Sequence, residues 1–220
     1  MLFRSTDAPS VGYQPEDSYN LRGDWGPSSY GRRDVWTSSY VYPLPWWIGG
    51  GAWYKQAFGG WQFNGIGLVQ SGLPVNITES STTTPGTAGD VGSGVRPNLQ
   101  GNPYSGGPVG GYQVFNPAAF ANPATNTFGN LGAYAIYLPR WINLNASMVK
   151  SFWVRERYKF DFKFNMYNVA NHLSVSGVTT SGFNGTKLVN GIWVSNTANW
   201  GAESATTPPR TMEASLRLSF

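Results

Sequence analysis

The side chains that could carry out chemistry in this sequence are few and widely spaced. The chain has 15 lysines and arginines, 11 acidic residues, one histidine and no cysteine. His172 lies in NVANH without a neighbouring carboxylate or second ligand, so we expect a loop or rim residue rather than a metal ligand or general base. The acidic residues are dispersed and form no pair typical of a general acid and base. The sequence therefore predicts no catalytic residue, no metal site and no cofactor.

Two glycine-rich segments and a serine also fit poorly with catalysis. GGPVGGY (106–112) and GSGVRPN (92–98) lack the strand-to-helix setting and the Lys-Ser/Thr pair of a phosphate-binding loop. Ser71 in QSG has no nucleophile-elbow context. The net charge is +4, but the basic residues form no run, which argues against nucleic acid as a partner.

Charged residues do occur in one regular pattern, on strands with two different faces. In YKFDFKFNMYN (158–168) and RTMEASLRLSF (210–220), polar and apolar side chains alternate with the period of a β-strand. Asp161, between two lysines, fits a charge-balanced wall better than a catalytic site. The candidate lumen-lining residues of this polar parity are Lys159, Asp161, Lys163, Asn165, Glu213 and Arg217.

Five long strands are predicted to position these residues. They lie near 33–45, 59–72, 140–152, 158–172 and 209–220; the glycines of the second strand could permit a bulge that switches its faces. Long loops at 72–139 and 173–208, rich in Gly, Ser, Thr, Asn and Pro, alternate with short connections. We expect the first loop to be partly ordered and to be the place for a ligand contact.

The predicted fold class is all-β, an antiparallel transmembrane β-barrel segment of about five to six long strands with long extracellular loops. Strands of about ten residues match a tilted membrane crossing. Two alternatives stay open: a soluble or surface β-sandwich that binds glycans through Trp and Tyr, and a small self-closing barrel. Periodicity alone does not separate an apolar face in a core from one in lipid.

Composition agrees with this class. Aromatic residues make up 15% of the chain and charged residues only 12%, against roughly 25% charged in an average soluble domain. No apolar run approaches the roughly 18 residues of a membrane-spanning helix. The N-terminal residues MLFRSTDAPSVGYQPED do not resemble a signal peptide, so we expect an exported form to carry an earlier segment.

Aromatic residues cluster around the second connection, at the predicted periplasmic end. We interpret them as a girdle at the membrane interface, where amphipathic rings settle. A sugar-stacking platform and ordinary core filling are the alternatives. The candidate girdle residues are Trp46, Trp47, Trp53, Tyr54 and Trp61.

Blocks of sequence over roughly residues 20 to 220 resemble the C-terminal part of TonB-dependent outer-membrane transporters, in particular the Oar-like group with a carboxypeptidase-regulatory-like domain. The blocks, in order, are DWGPSSYGRRDVWTSSYVYPLP (24–45), FGGWQFNGIGLVQSGLPVNI (58–77), VRPNLQG (95–101), VFNPAAFANP (114–123), FGNLGAY (128–134), RWINLNASMVKSF (140–152), YKFDFKFNMYNVANH (158–172) and PPRTMEASLRLSF (208–220).

The resemblance implies a plugged barrel of about 22 strands in the cell outer membrane of a Gram-negative-type bacterium. Such a barrel imports a large scarce solute, such as a siderophore or an oligosaccharide, and is not an enzyme. Residues 1–220 would be its C-terminal portion, with plug domain and signal peptide absent. The implied partners are outer-membrane lipid, the rest of the barrel and the plug, the TonB complex through the missing N-terminal part, and the barrel-assembly machinery. That machinery would read the terminal strand, whose signal residues are Met212, Ala214, Leu216, Leu218 and Phe220.

Overall fold

The computed structural model describes residues 15–17, 19–45, 58–79, 95–105, 113–124, 127–154, 157–189 and 192–220. These residues form strands, turns and one short 3-10 helix, Pro117–Ala119. None of their helices is long and apolar enough to cross a membrane. The strands are β1 Val35–Pro43, β2 Trp61–Gln70, β3 Pro74–Val75, β4 Asn98–Leu99, β5 Phe120–Ala121, β6 Ile136–Tyr137, β7 Trp141–Val154, β8 Tyr158–Tyr167, β9 Val175–Val178, β10 Thr186–Val189, β11 Ile192–Ser195, β12 Glu203–Thr206 and β13 Thr211–Ser219.

The five long strands form one antiparallel sheet in the order β1-β2-β7-β8-β13. This confirms the predicted all-β class and the predicted set of long antiparallel strands. Each long strand therefore pairs with the long strands that come before and after it along the chain. The sheet does not close into a barrel, because its edge strands β1 and β13 are not paired with each other.

The observed strands differ from the predicted ones in some details. The fourth strand ends at Tyr167 instead of 172, because Asn168 has a left-handed backbone (φ 51°) that starts a turn. The third strand continues past 152 to Val154. The second strand has no bulge, since each residue from Trp61 to Gln70 pairs in unbroken register with β1 on one side or β7 on the other.

The glycines of β2 make room for rings instead of bending the strand. A Cβ on Gly65 would lie 2.3 Å from the phenol of Tyr40, the residue opposite it on β1. The Tyr40 ring thus covers a glycine gap and packs 5.5 Å from the Phe63 ring, centroid to centroid. Large side chains over strand glycines protect the exposed backbone.

The sheet belongs to one of two compact units. We call Asp34–Gln70, Trp141–Ser174 and Thr207–Phe220 the sheet unit, and Met1–Arg33, Ser71–Arg140 and Val175–Thr206 the loop unit. The predicted loops are thus not simple linkers. Within the described residues they carry the short strand pairs β3-β6, β4-β5, β9-β12 and β10-β11.

The loop unit has its own hydrophobic core. At its centre Phe120, Phe183 and Trp200 are at most 1% exposed, with ring centroids 4.8 to 6.1 Å apart in tilted and edge-to-face contacts. The Trp200 indole N–H donates to the Thr180 carbonyl at 3.2 Å, which satisfies its buried polar atom. Burying each such ring stabilises the unit by about 1.5–3 kcal/mol before entropy is counted.

Candidate functional site

The polar face of the sheet carries the charged residues that the sequence singles out. The antiparallel register places Arg217 opposite Asp161, Ser215 opposite Lys163 and Glu213 opposite Asn165. Residues directly opposite each other in a sheet project from the same face. The six candidate lumen-lining residues therefore share one face of β8 and β13.

Asp161 is the centre of this charged patch. The Ser151 hydroxyl donates to its carboxylate at 2.5 Å, and the Lys159 ammonium lies 3.1 Å from the same oxygen. Both partners project from the polar face, on β7 and on β8 itself. The side chains of Lys159 and Asp161 are 35% and 29% exposed, and each compensates the charge of the other.

The same face continues across β7 and β2 with uncharged polar residues that sequence reasoning did not include among the lumen candidates. The apolar residues Ile66, Leu68, Val149 and Trp153 also lie on this face. Asn64 lies opposite Ser147, which in turn lies opposite Asn165. The Gln62 amide donates to Asn64 at 2.7 Å. The alternation in INLNASM could have predicted this face. Its polar residues Asn143, Asn145 and Ser147 alternate with apolar ones, and Ser147 lies opposite Asn165 on the polar face of β8.

The opposite face is apolar and includes the proposed terminal signal. Ala214 faces Phe164, Leu216 faces Phe162 and Leu218 faces Phe160. Leu216 is 66% exposed and Phe220 is 91% exposed. A sheet with one exposed apolar face needs an apolar environment on that side.

Lys150 is the exception on the apolar face, and the sequence analysis did not identify it. It lies between Trp61 on β2 and Phe162 on β8 in the register and is only 6% exposed. Its ammonium donates to the Gly59 carbonyl and lies 5.8 Å from the centre of the Trp61 ring. A charged head that folds back onto a carbonyl and an aromatic face keeps its charge away from the apolar surface.

Of the candidate girdle residues, only Trp61 lies within the described residues. Its ring packs edge-on against Phe162, with centroids 5.9 Å apart. Trp61 therefore stands at the start of β2 on the apolar face. The remaining candidates, Trp46, Trp47, Trp53 and Tyr54, lie outside the described residues.

His172 belongs to a hydrogen-bonded turn that follows β8. The Asn168 side chain accepts from the His172 N–H at 3.0 Å and donates to the carbonyls of His172 and Pro208 at 3.1 and 3.0 Å. The His172 ring lies 3.1 Å from the hydroxyl of Ser174, which is fully buried. Among the described residues, no group of three or more His, Cys, Asp or Glu side chains is arranged to hold a metal ion. The NVANH segment thus ties the end of β8 to the start of β13.

A buried ionic cluster organises the loop unit, and sequence reasoning missed it. Arg96 is 3% exposed. Its guanidinium donates to the carbonyls of Leu131 and Gly23 at 2.8 and 3.1 Å and to Asp24 at 2.7 Å, and it forms an ion pair with Glu16. Burial raises the pKa of the Glu16 carboxyl, and hydrogen bonding and charge from Arg96 offset part of that rise.

The short motifs of the loop unit meet one another in space. Asn130 of FGN accepts from the Leu99 N–H at 2.7 Å, and its own N–H donates to Asn98 of RPN at 2.9 Å. A Cβ on Gly129 would lie 2.0 Å from the Arg96 carbonyl, and one on Gly72 of QSG would lie 1.7 Å from the Leu138 carbonyl. Only glycine fits at such close approaches of two backbones.

Comparison with known proteins agrees with the two-faced sheet. A family model for the outer membrane beta barrel domain matches residues 3–213, and the chain belongs to this family. Neither the curated proteins nor the solved structures that were compared give a match. The chain is an outer-membrane β-barrel protein, and membrane lipid is the environment of its strands.

Proposed function

We propose that this chain is the C-terminal part of the wall of a TonB-dependent transporter. In this proposal the apolar face contacts lipid and the polar face lines the lumen, where it contacts the plug or the solute. The solute is large and scarce, of the siderophore or oligosaccharide kind. The role is transport and not catalysis, and the barrel-assembly machinery recognises the terminal strand that ends at Phe220.

One observation carries the proposal: the uninterrupted register that separates the two faces. Apolar side chains follow one another across β8 and β13, while charges and amides occupy the other face. A wall between lipid and an aqueous lumen requires this separation. The narrower assignment rests on the motif blocks that resemble TonB-dependent transporters. Glycines and asparagines of these blocks make close contacts in the loop unit.

The two alternatives make different demands on the fold. A β-sandwich would distribute its strands over two packed sheets, whereas the five long strands here share one. A small self-closing barrel would need further long strands, but the additional strands of the described residues have two to four residues each. Neither alternative is therefore favoured by a specific observation.

The proposal can be tested by isolating the protein from its own host. A tag on an exposed loop residue would follow the chain through membrane fractionation, and the solubilised protein would be passed over the immobilised periplasmic domain of TonB. We expect outer-membrane location and retention on TonB. A heat-modifiable barrel of 24.0 kDa that does not bind TonB would support the small self-closing barrel. A protein that is soluble in water without detergent would support the glycan-binding alternative.

A further inference from the structure

Two arginines of the loop unit meet where β2 ends and β7 begins. The last residue pair between these strands is Gln70 with Trp141, and β3 and β6 pair in the same register a few residues further on. Ser71 and Arg140 therefore lie opposite each other where the chain leaves the sheet. The Arg32 guanidinium reaches the same place, because it donates to the Ser71 carbonyl at 2.8 Å. Arg32 and Arg140 are thus neighbours in space although they are far apart in the sequence.

A third arginine gives this place an excess of positive charge. Arg33 follows Arg32 in the chain, and we call Arg32, Arg33 and Arg140 the arginine cluster. Arg33 and Arg140 are exposed, and Arg32 is half-buried. Among the residues that the structure describes, no ion pair joins the cluster to a carboxylate. Asp34, the next residue in the chain, contributes one negative charge, so the three arginines leave a formal excess of two positive charges.

The arginine cluster lies at the end of the strands from which the long loops leave. Arg33 is two residues from Val35, the first residue of β1, a reach of about 7 Å, and Arg140 directly precedes β7. Long loops of outer-membrane barrels are extracellular, which puts the cluster at the level of the outer lipid headgroups. Tyr30, close to the cluster in the chain, is 72% exposed, and tyrosine is enriched at membrane–water interfaces.

A phosphate group is the ligand that this arrangement fits. Guanidinium groups bind phosphate through two parallel hydrogen bonds, and basic clusters at membrane surfaces bind phosphorylated headgroups. The bond to Ser71 fixes Arg32 through one of its five N–H donors and leaves the others for a ligand. A phosphate monoester carries about −1.5 to −2 charges at pH 7, which balances the excess charge of the cluster. Because the cluster adjoins membrane strands, a lipid is a better source of this phosphate than a soluble molecule.

We propose that the arginine cluster binds the phosphorylated headgroup of a lipid in the outer leaflet. Arg33 and Arg140 contact the phosphate from exposed positions, and Arg32 provides a third contact that the Ser71 carbonyl holds in place. This site consists of loop-unit residues, and it differs from the apolar contact between the strands and acyl chains. The inference goes beyond the proposed function, because a headgroup site at this level depends neither on transport nor on TonB.

Lipid binding by the protein, isolated in detergent from the outer membrane of its host, tests the inference. The probes are bisphosphorylated lipid A, the same lipid with its phosphates removed, and inorganic phosphate, measured by thermophoresis at constant ionic strength. We expect the phosphorylated lipid to bind about tenfold more tightly than the dephosphorylated one, and inorganic phosphate at the same concentration not to displace it. Equal binding of the two lipids would overturn the inference. Displacement by inorganic phosphate would also overturn it, because the ligand would then be a soluble phosphate.

Two double variants locate the site. Arg33→Gln combined with Arg140→Gln removes two exposed guanidinium groups, so it should weaken binding of bisphosphorylated lipid A about tenfold without lowering the melting temperature. The matched control combines Arg22→Gln with Arg157→Gln, which makes the same charge change at exposed arginines outside the cluster and should bind as the parent does. Equal weakening in the control would show a general attraction between a basic protein and an anionic lipid. Unchanged binding by the first variant would place the headgroup elsewhere, and either result would refute the assignment.

Discussion

Replacing Arg96 with methionine should strongly destabilise the loop unit. Arg96 is 3% exposed, and the side chains of its partners Glu16 and Asp24 are 4% and 6% exposed. Methionine fills a similar volume but leaves two carboxylates without their cation and two carbonyls without a donor. Breaking a buried ion pair by removing one partner costs about 3–5 kcal/mol.

Some hydrogen bonds survive the change and limit its cost. The Arg96 backbone N–H still donates to Glu16 at 2.7 Å, and the Glu16 N–H still donates to Asp24 at 3.1 Å. We therefore expect a loss near the lower limit, about 3 kcal/mol, which corresponds to a factor of over 100 in the opening equilibrium.

Hydrogen exchange with mass spectrometry measures this loss locally. Peptides covering 113–124, which contain the buried Phe115 and Phe120, should exchange about 100-fold faster in Arg96→Met. The strand peptides of β7 and β8 should keep their protection, because they belong to the sheet unit. Arg22→Met makes the same exchange at an exposed arginine of the loop unit and should leave both peptide sets unchanged. Parent-like exchange of 113–124 in Arg96→Met would show that the ionic cluster does not hold the loop unit together.

Three further predictions concern a titration, a turn and the terminus. The pKa of Glu16 is raised in the fold, so its stabilising contribution is complete below the unfolded pKa of about 4.5 and is lost as the pH rises through the higher folded value. The hydrogen-exchange protection of the parent loop unit, relative to that of Glu16→Gln, should therefore increase as the pH falls from 7 to about 4.5. A difference that stays constant over this range would contradict the prediction. Asn168→Ala should lower the free energy of unfolding by about 1 kcal/mol more than Asn168→Gly does. Both variants lose the side-chain hydrogen bonds, but only alanine is strained at φ 51°. Equal urea midpoints of the two variants would contradict this prediction. In the intact protein, Phe220→Asp should reduce the amount of assembled barrel in the outer membrane, while export continues. The amount of assembled barrel can be measured by its heat-modifiable mobility on gels. An unchanged amount would contradict the role of the terminal aromatic residue.

The long strands could be predicted from the sequence because their pattern is local. Lys159 to Asn165 alternate strictly with phenylalanines, and a period of two residues defines both a strand and its faces. The lumen role of the polar face remains a prediction. The end of β8 was overestimated, because no glycine or proline follows Tyr167 up to 172, and the chain turns at Asn168 instead. Asn168 has a left-handed backbone, and its side chain donates to the distant Pro208 carbonyl.

The loop unit could not be predicted because its stabilising contacts join residues far apart in the chain. Arg96 binds Glu16, which is 80 residues away, and no local pattern around VRPN reveals a buried ion pair. Trp200 lies in a segment predicted as a long polar loop, yet it is 1% exposed. The motif residues Gly129 and Asn130 were noticed only as shared sequence. Their physical role is the close contact with Arg96 and Leu99.

The most direct test of the account asks which face of the sheet contacts lipid. The chain has no cysteine, so single cysteines can be placed along β8 and β13 of the membrane-inserted protein, labelled with a fluorophore and quenched by nitroxide lipids. We predict strong quenching at Phe162, Phe164 and Leu216 and weak quenching at Lys163 and Ser215, in strict alternation. Alternation of the opposite phase, or equal quenching on both faces, would contradict a wall that separates lipid from an aqueous lumen.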